Sequence, residues 1–165
     1  DLVYPYIARE LCASLPANTD AALDSMQKLG LVRRDDEVIL PAAQHSEQRL
    51  PLLLLSKLIN ETLERMYIVL SLAHHGRHTR ESLCQRSQVA AQQMARLHGI
   101  NAPEFFDQGL FDQFVDALLA NQHLQTDTDE TLITNATIAE TLHLARTVID
   151  DKIRFALTPS LNAAN

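Results

Sequence analysis

Met94–Asp107 reads MARLHGINAPEFFD, and its punctuation sets the order of the elements on either side. Met94 and Leu97 close an apolar stripe that starts at Leu83 and runs through Ala90, so an amphipathic helix should end here. Gly99 is placed to stop it in a left-handed conformation, with Ile100 folding back over the last turn. Asn101, two residues on from which a proline and then Glu104 follow, has capping-box spacing for a new start, and Pro103 falls in the first turn, where its missing N–H costs nothing. Phe105 and Phe106 come next, two of only five phenylalanines in a chain without tryptophan, and should anchor the corner in a core.

Upstream of this corner, Val3–Leu15 reads as a short helix with Ile7 and Leu11 on one face and Pro16 as its stop. Asn18, Thr19 and Asp20 offer caps for a second helix with Ala22, Met26 and Leu29 at helical spacing, ended by Gly30. Leu31–Leu40, LVRRDDEVIL, has two apolar arms around a charged tip and predicts a hairpin. Gln48–Ala73 is the longest helical pattern, with Leu55, Ile59, Thr62, Met66, Leu70 and Ala73 on its apolar face. Its LPLLLL run is too short, and its other face (Lys57, Glu61, Glu64, Arg65) too charged, for a membrane span of about 20 apolar residues. His74 to Thr79 reads as a turn, with Thr79 capping the next helix.

Beyond the corner, Asp107 should cap a helix whose buried stripe is Phe111, Val115 and Leu118. A second hairpin spans His123 to Thr134 with its tip at Asp127, Thr128 and Asp129. Thr137 and Glu140 have capping-box spacing for a last helix through about Ala156, ended by Pro159. Aligning the stretches from Ala22 and from Phe114, with one residue inserted at the hairpin tip, sets Asp24 on Asp116, Met26 on Leu118, Asp35 on Asp127 and Glu37 on Glu130. The expected architecture is therefore mainly α, helical with two short β-hairpins: two winged-helix-like units joined by a long helix, at 1–76 and 77–165.

The chain is long enough, at 165 residues, to bury a core. A formal net charge of -7 and a pI near 5.4 argue against a partner held by phosphate neutralisation. Cys12 and Cys84 lack metal or disulfide spacing, which fits a reducing compartment, and each reads as a small buried hydrophobe. Tyr4, Tyr6 and Tyr67 read as core-edge residues. The start DLVYPYIARE has no basic region followed by a long apolar core, and its entry in mid-pattern without methionine is what an excised fragment, or a processed chain, would show.

The run LHGINAPEFFD resembles a block near the C-terminus of the bacterial membrane-bound glycerol-3-phosphate acyltransferases that use acyl-thioesters, and the order and spacing of the other elements are similar too. The resemblance marks His98, Gly99, Ile100, Asn101, Ala102, Pro103, Glu104, Phe105, Phe106 and Asp107 as a family signature with a structural role. It implies a parent that transfers an acyl group from acyl-CoA or acyl-carrier protein to the 1-position of glycerol 3-phosphate, starting phospholipid synthesis at the cytoplasmic face of the inner membrane. It also implies that the catalytic domain lies upstream. The partners expected are that domain and a possible second copy of the chain, with membrane contact only through the parent.

In such enzymes a histidine followed after four residues by aspartate supplies the general base and its orienting carboxylate. Five residues beyond His45, His74, His75, His78, His98, His123 and His143 stand Leu50, Thr79, Arg80, Leu83, Pro103, Thr128 and Val148. No catalytic residue is therefore assigned, and the piece should be inactive alone. His74 and His78 have the spacing of a helical metal pair, but Gly76 weakens the helix between them and no third ligand is evident, so no metal is expected. No glycine-rich phosphate loop or nucleophile elbow appears, and no cofactor or substrate-binding residue is assigned. The helix–hairpin order raises DNA binding, but the acids at Asp20, Asp24, Asp112 and Asp116 and at both tips would repel phosphate. The competing reading is an acidic winged-helix module that binds protein.

Overall fold

The computed structural model describes residues 15–36, 38–100 and 102–162. Among these residues six α-helices and four strands follow the order α1 (Leu15–Lys28), β1 (Val32–Asp35), β2 (Val38–Pro41), α2 (Arg49–His75), α3 (Arg80–His98), a 3-10 helix (Pro103–Phe106), α4 (Gln108–Ala120), β3 (Leu124–Thr126), β4 (Leu132–Thr134), α5 (Ala136–Ala145) and α6 (Asp151–Asn162). The fold is mainly helical with two antiparallel two-stranded hairpins, β1–β2 and β3–β4. Two compact units form, residues 1–59 and 60–165, with the break inside α2.

The larger unit holds most of the core. Apolar residues of α2 from Met66 to Ala73 are buried, as are Leu83, Ala90 and Met94 of α3, the α4 stripe and Ile153 and Leu157 of α6. Phe114 joins the expected Phe111, Val115 and Leu118 in that stripe, so α4 buries a wider arc than the three-residue reading gave it. Between α2 and α3 the backbone runs extended for two residues: Thr79 bridges Thr131 antiparallel, and Leu132 N–H donates to His78 O at 2.7 Å. The second hairpin is thereby pinned to the entry of α3. His78 is itself buried, and burial together with nearby Arg86 pushes its pKa below the ordinary histidine value.

The two helix–hairpin stretches match bond for bond. Leu31 N–H donates to Met26 O and His123 N–H to Leu118 O, each at 2.9 Å. One residue earlier, Gly30 bonds Gln27 O at 2.9 Å and Gln122 bonds Leu119 O at 3.0 Å. Both turning residues are left-handed, Gly30 at φ 71 and Gln122 at φ 59, which is the helix stop that redirects the chain into a strand. The strands keep the same register: Val32 faces Pro41 as Leu124 faces Thr134, and Arg33 faces Leu40 as Gln125 faces Ile133. The closing bonds correspond as well, Ala42 N–H to Leu31 O and Asn135 N–H to His123 O. All of these pairs obey the alignment read from sequence, with its single inserted residue at the tip.

Several expectations are corrected. Helix α1 already includes Leu15, so Pro16 stands in its described first turns instead of ending a helix, and Asn18, Thr19 and Asp20 are helical, not caps. The helix expected at Val3–Leu15, with Tyr4, Tyr6 and Cys12, lies outside the described residues apart from Leu15. Leu55 and Ile59, placed on the buried face of α2, are exposed, as is Leu97 at the end of the α3 stripe. The last helix is two: Arg146–Asp150 turns, Ile149 is buried in that turn, and the Asp150 carboxylate accepts from Lys152 N–H at 2.9 Å to start α6. Asn135 rather than Thr137 caps α5, accepting from Ile138 N–H at 3.3 Å. Pro159 sits inside α6, which loses one donor there and continues to Asn162.

The matched turns make a prediction. Gln122 carries a side chain where its counterpart is glycine, at a φ that disfavours any Cβ. Gln122→Gly should raise stability by about 0.5–1 kcal/mol in chemical denaturation, and Gly30→Gln should lower it through the backbone strain of a side chain at φ 71, the Cβ itself meeting only ordinary contact with Gln48.

Candidate functional site: the Gly99–Asp107 corner

Gly99 closes α3 in the left-handed conformation, φ 66, with its N–H on Ala95 O. Ile100 N–H returns to the same carbonyl at 3.0 Å and its side chain is half-buried. Asn101 lies outside the described residues; the N-cap of the next turn is Ala102, which makes no side-chain bond, and Pro103 opens a 3-10 helix. Phe105 is 0% exposed, whereas Phe106 is half-buried and Glu104 exposed. Asp107 then caps α4, accepting from Leu110 N–H at 3.2 Å.

Two side chains hold the corner's carbonyls from outside. Arg65 of α2 donates to Glu104 O at 2.6 Å and to Thr62 Oγ1 at 3.1 Å. Gln88 of α3 donates to Phe106 O at 3.2 Å. Neither was singled out as a corner residue in the sequence, since each acts across the fold and carries no local motif. Beside the corner runs an open groove of about 540 Å³ lined by Gln92, Ala95, Arg96, Ile100, Pro103 and Phe106. His98 is exposed, and its field is the smallest of the influences that hold the Asp150 carboxyl below its ordinary range, after the Lys152 backbone N–H.

A second cluster ties the entry of α3 to α4. Arg80 grips Asp116 through two bonds, Nε to Oδ1 at 2.7 Å and Nη2 to Oδ2 at 2.9 Å, and reaches Asp112 at 3.4 Å. This pairing holds the Asp116 carboxyl below the usual carboxylate range and raises Arg80 further. Cys84 lies buried beneath it, its thiol pushed up to about 12 by burial and by its bond to Asp112, so it stays protonated. In the smaller unit Arg34 is held by Asp20 and Asp24 of α1, at 3.5 and 3.1 Å. Arg77 meets the hairpin tip at Asp127, 3.4 Å away.

The histidines do not converge. His74 is exposed, His75 donates through Nδ1 to Ser71 O at 2.8 Å, and His78 is buried with Nε2 unpartnered. Among the described residues no group of three or more His, Cys, Asp and Glu is arranged to hold a metal ion. Nor is any helix of the described residues long and apolar enough to cross a membrane.

The corner is held by side-chain bonds to backbone carbonyls and the clusters by exposed Arg–Asp pairs, within a helical, hairpin-bearing region. The comparisons identify which: the chain belongs to the family of the glycerol-3-phosphate acyltransferase C-terminal region, whose model matches residues 1–127. It is 34% identical to the glycerol-3-phosphate acyltransferase of Pseudomonas entomophila (strain L48) over 94% of this chain and 20% of that protein. To the enzyme of Pseudomonas aeruginosa (strain UCBPP-PA14) it is 35% identical, over 76% of this chain and 16% of that protein. To that of Pseudomonas fluorescens (strain SBW25) it is 36% identical over the same shares. The chain thus spans at most about a fifth of the length of these relatives. No solved structure matches.

These contacts predict the cost of three substitutions. Phe105→Ala should cost about 3–5 kcal/mol by opening a cavity at a fully buried ring, and Gly99→Ala about 1 kcal/mol from backbone strain alone, because nothing lies within 4 Å of the added methyl. Arg80→Met should cost about 0.5–1 kcal/mol at neutral pH, discounted for the exposure of the pair. Because the folded pKa of Asp116 is depressed, that contribution is present above its ordinary value of 3.8 and lost as pH falls through the lower folded value. The difference between wild type and variant in urea denaturation should therefore begin to shrink below pH 3.8 and vanish once Asp116 is protonated in the folded state.

Proposed function

We propose that this chain is the non-catalytic C-terminal region of a glycerol-3-phosphate acyltransferase and that it packs on the catalytic domain or on a second subunit. The observation that carries this reading is the match of 94% of the chain to a fifth of the Pseudomonas entomophila acyltransferase, in a sequence whose histidines lack an aspartate at the required spacing. The parent transfers an acyl group from acyl-CoA or acyl-carrier protein to the 1-position of glycerol 3-phosphate, and membrane contact, at the cytoplasmic face of the inner membrane, comes through the parent. Within the region, His98–Asp107 serves as a structural signature, and the sequence boundary after Gly76 separates two winged-helix-like units at 1–76 and 77–165. The second fits that plan through Thr79, extended at the entry of α3, which bridges Thr131 beside the β3–β4 hairpin, while Leu132 N–H donates to His78 O.

The charge arrangement supports packing rather than nucleic-acid binding. Arg34, Arg77 and Arg80, which a DNA-facing surface would present to phosphate, are each held by acids of their own unit. An assay of the isolated chain with acyl-CoA and glycerol 3-phosphate should give no acyl glycerol phosphate above background. Turnover by the chain alone would overturn the non-catalytic assignment.

A further inference from the structure

The bond-for-bond match between the two helix–hairpin stretches makes their difference in burial informative. In the larger unit α3 packs along α4, and Phe114, Val115 and Leu118 are buried. Their counterparts on α1 are Ala22, exposed, and Leu23 and Met26, only half-buried. Leu29 continues that face at 67% exposure. Among the described residues no helix covers α1 as α3 covers α4.

Across from α1 the opening of α2 has the composition of a core without being one. Leu50, Leu53, Leu54, Leu55 and Ile59 are all exposed, Leu54 at 55% and Leu55 at 45%. At about 100° per residue Leu53 and Leu55 point to widely different sides, and a helix apolar on so many sides is one that is meant to be covered. Leu29, Leu31, Pro51, Leu54 and Leu55 line a single groove of about 790 Å³.

We infer that this groove, walled by Leu29 of α1 and by Leu54 and Leu55 of α2, is the seat of an amphipathic helix from the upstream part of the parent acyltransferase, standing to α1 as α3 stands to α4. The inference rests on the reading of the chain as part of such an enzyme. Two observations choose this occupant. The relatives supply about four-fifths of their length outside the matched region, ample for a counterpart of the 19-residue α3. Charge points the same way: the groove is edged by both signs, Glu47 and Lys57, in a chain of net charge -7, so an anionic lipid surface gains little attraction there. A helix from a folded protein needs none.

The test is to co-express the full chain with the portion of the Pseudomonas entomophila acyltransferase that precedes its matched region, and to measure the recovered complex. The wild-type chain should co-purify with it. Leu29→Glu with Leu55→Glu should weaken association tenfold or more, while Ile133→Glu, an exposed change on β4, leaves it unaltered. All three positions are exposed, so circular dichroism should show the helix content unchanged. If the wild type binds and the paired variant binds as well, the groove is wrong and the parent reading stands. If the wild type itself does not bind, the parent-packing reading falls with it. A homodimer, or binding to anionic phospholipid vesicles, that the paired variant abolishes while the upstream portion stays bound would overturn the inference in favour of a different occupant.

Discussion

Phe105 is fully buried one turn before α4 begins, and the path of the larger unit depends on it. A single 3-10 turn is weak on its own, with strained bonds and few residues. What holds it is the ring in the core together with two carbonyl bonds, one from Arg65 on α2 and one from Gln88 on α3. Gly99 before it and Asp107 after it then set where α3 stops and α4 starts. With the start of α4 fixed, its aromatic face lies against α3, and the left-handed Gln122 sends the chain into the second hairpin.

The hairpin is in turn tied back to the α2–α3 junction by Thr131 and Leu132, which closes the larger unit on itself. Nothing comparable closes the smaller one among the described residues. It has the same helix stop, the same strand register and the same closing bond, yet Leu29, Leu50, Leu53, Leu54 and Leu55 are exposed. The same local plan thus surrounds an internal core in one unit and leaves apolar residues exposed in the other. An acidic, apolar-faced region of this kind suits packing within a larger enzyme better than recognition of phosphate.

Much of this was legible in the residues because the signals were local. Gly99, Asp107, Thr79 and Gly30 each name a helix end through the chemistry of one side chain or its absence. The repeat was legible through spacing alone, although few identities support it. Misreadings arose where tertiary context outweighs pattern. Helical periodicity marks an apolar face but not whether anything covers it, so Leu55, Ile59 and Leu97 were assigned to a core they do not enter. Thr137 and Glu140 matched a capping box, but Asn135, two residues earlier and next to the strand, makes the bond. The corner's outside supports, Arg65 and Gln88, and the Arg80–Asp116 clasp join residues far apart in sequence, which no local rule reports.

The central claim is that the chain is closed in its larger unit and open in its smaller one, and residue-resolved amide hydrogen exchange of the isolated chain tests it most directly. Val69, Leu72, Phe114 and Leu118 should exchange only through global unfolding, whereas the amides from Leu53 to Ile59, on the same helix as the first two, should exchange at least about a hundredfold faster through local opening. Equal protection along the whole of α2 would contradict the account.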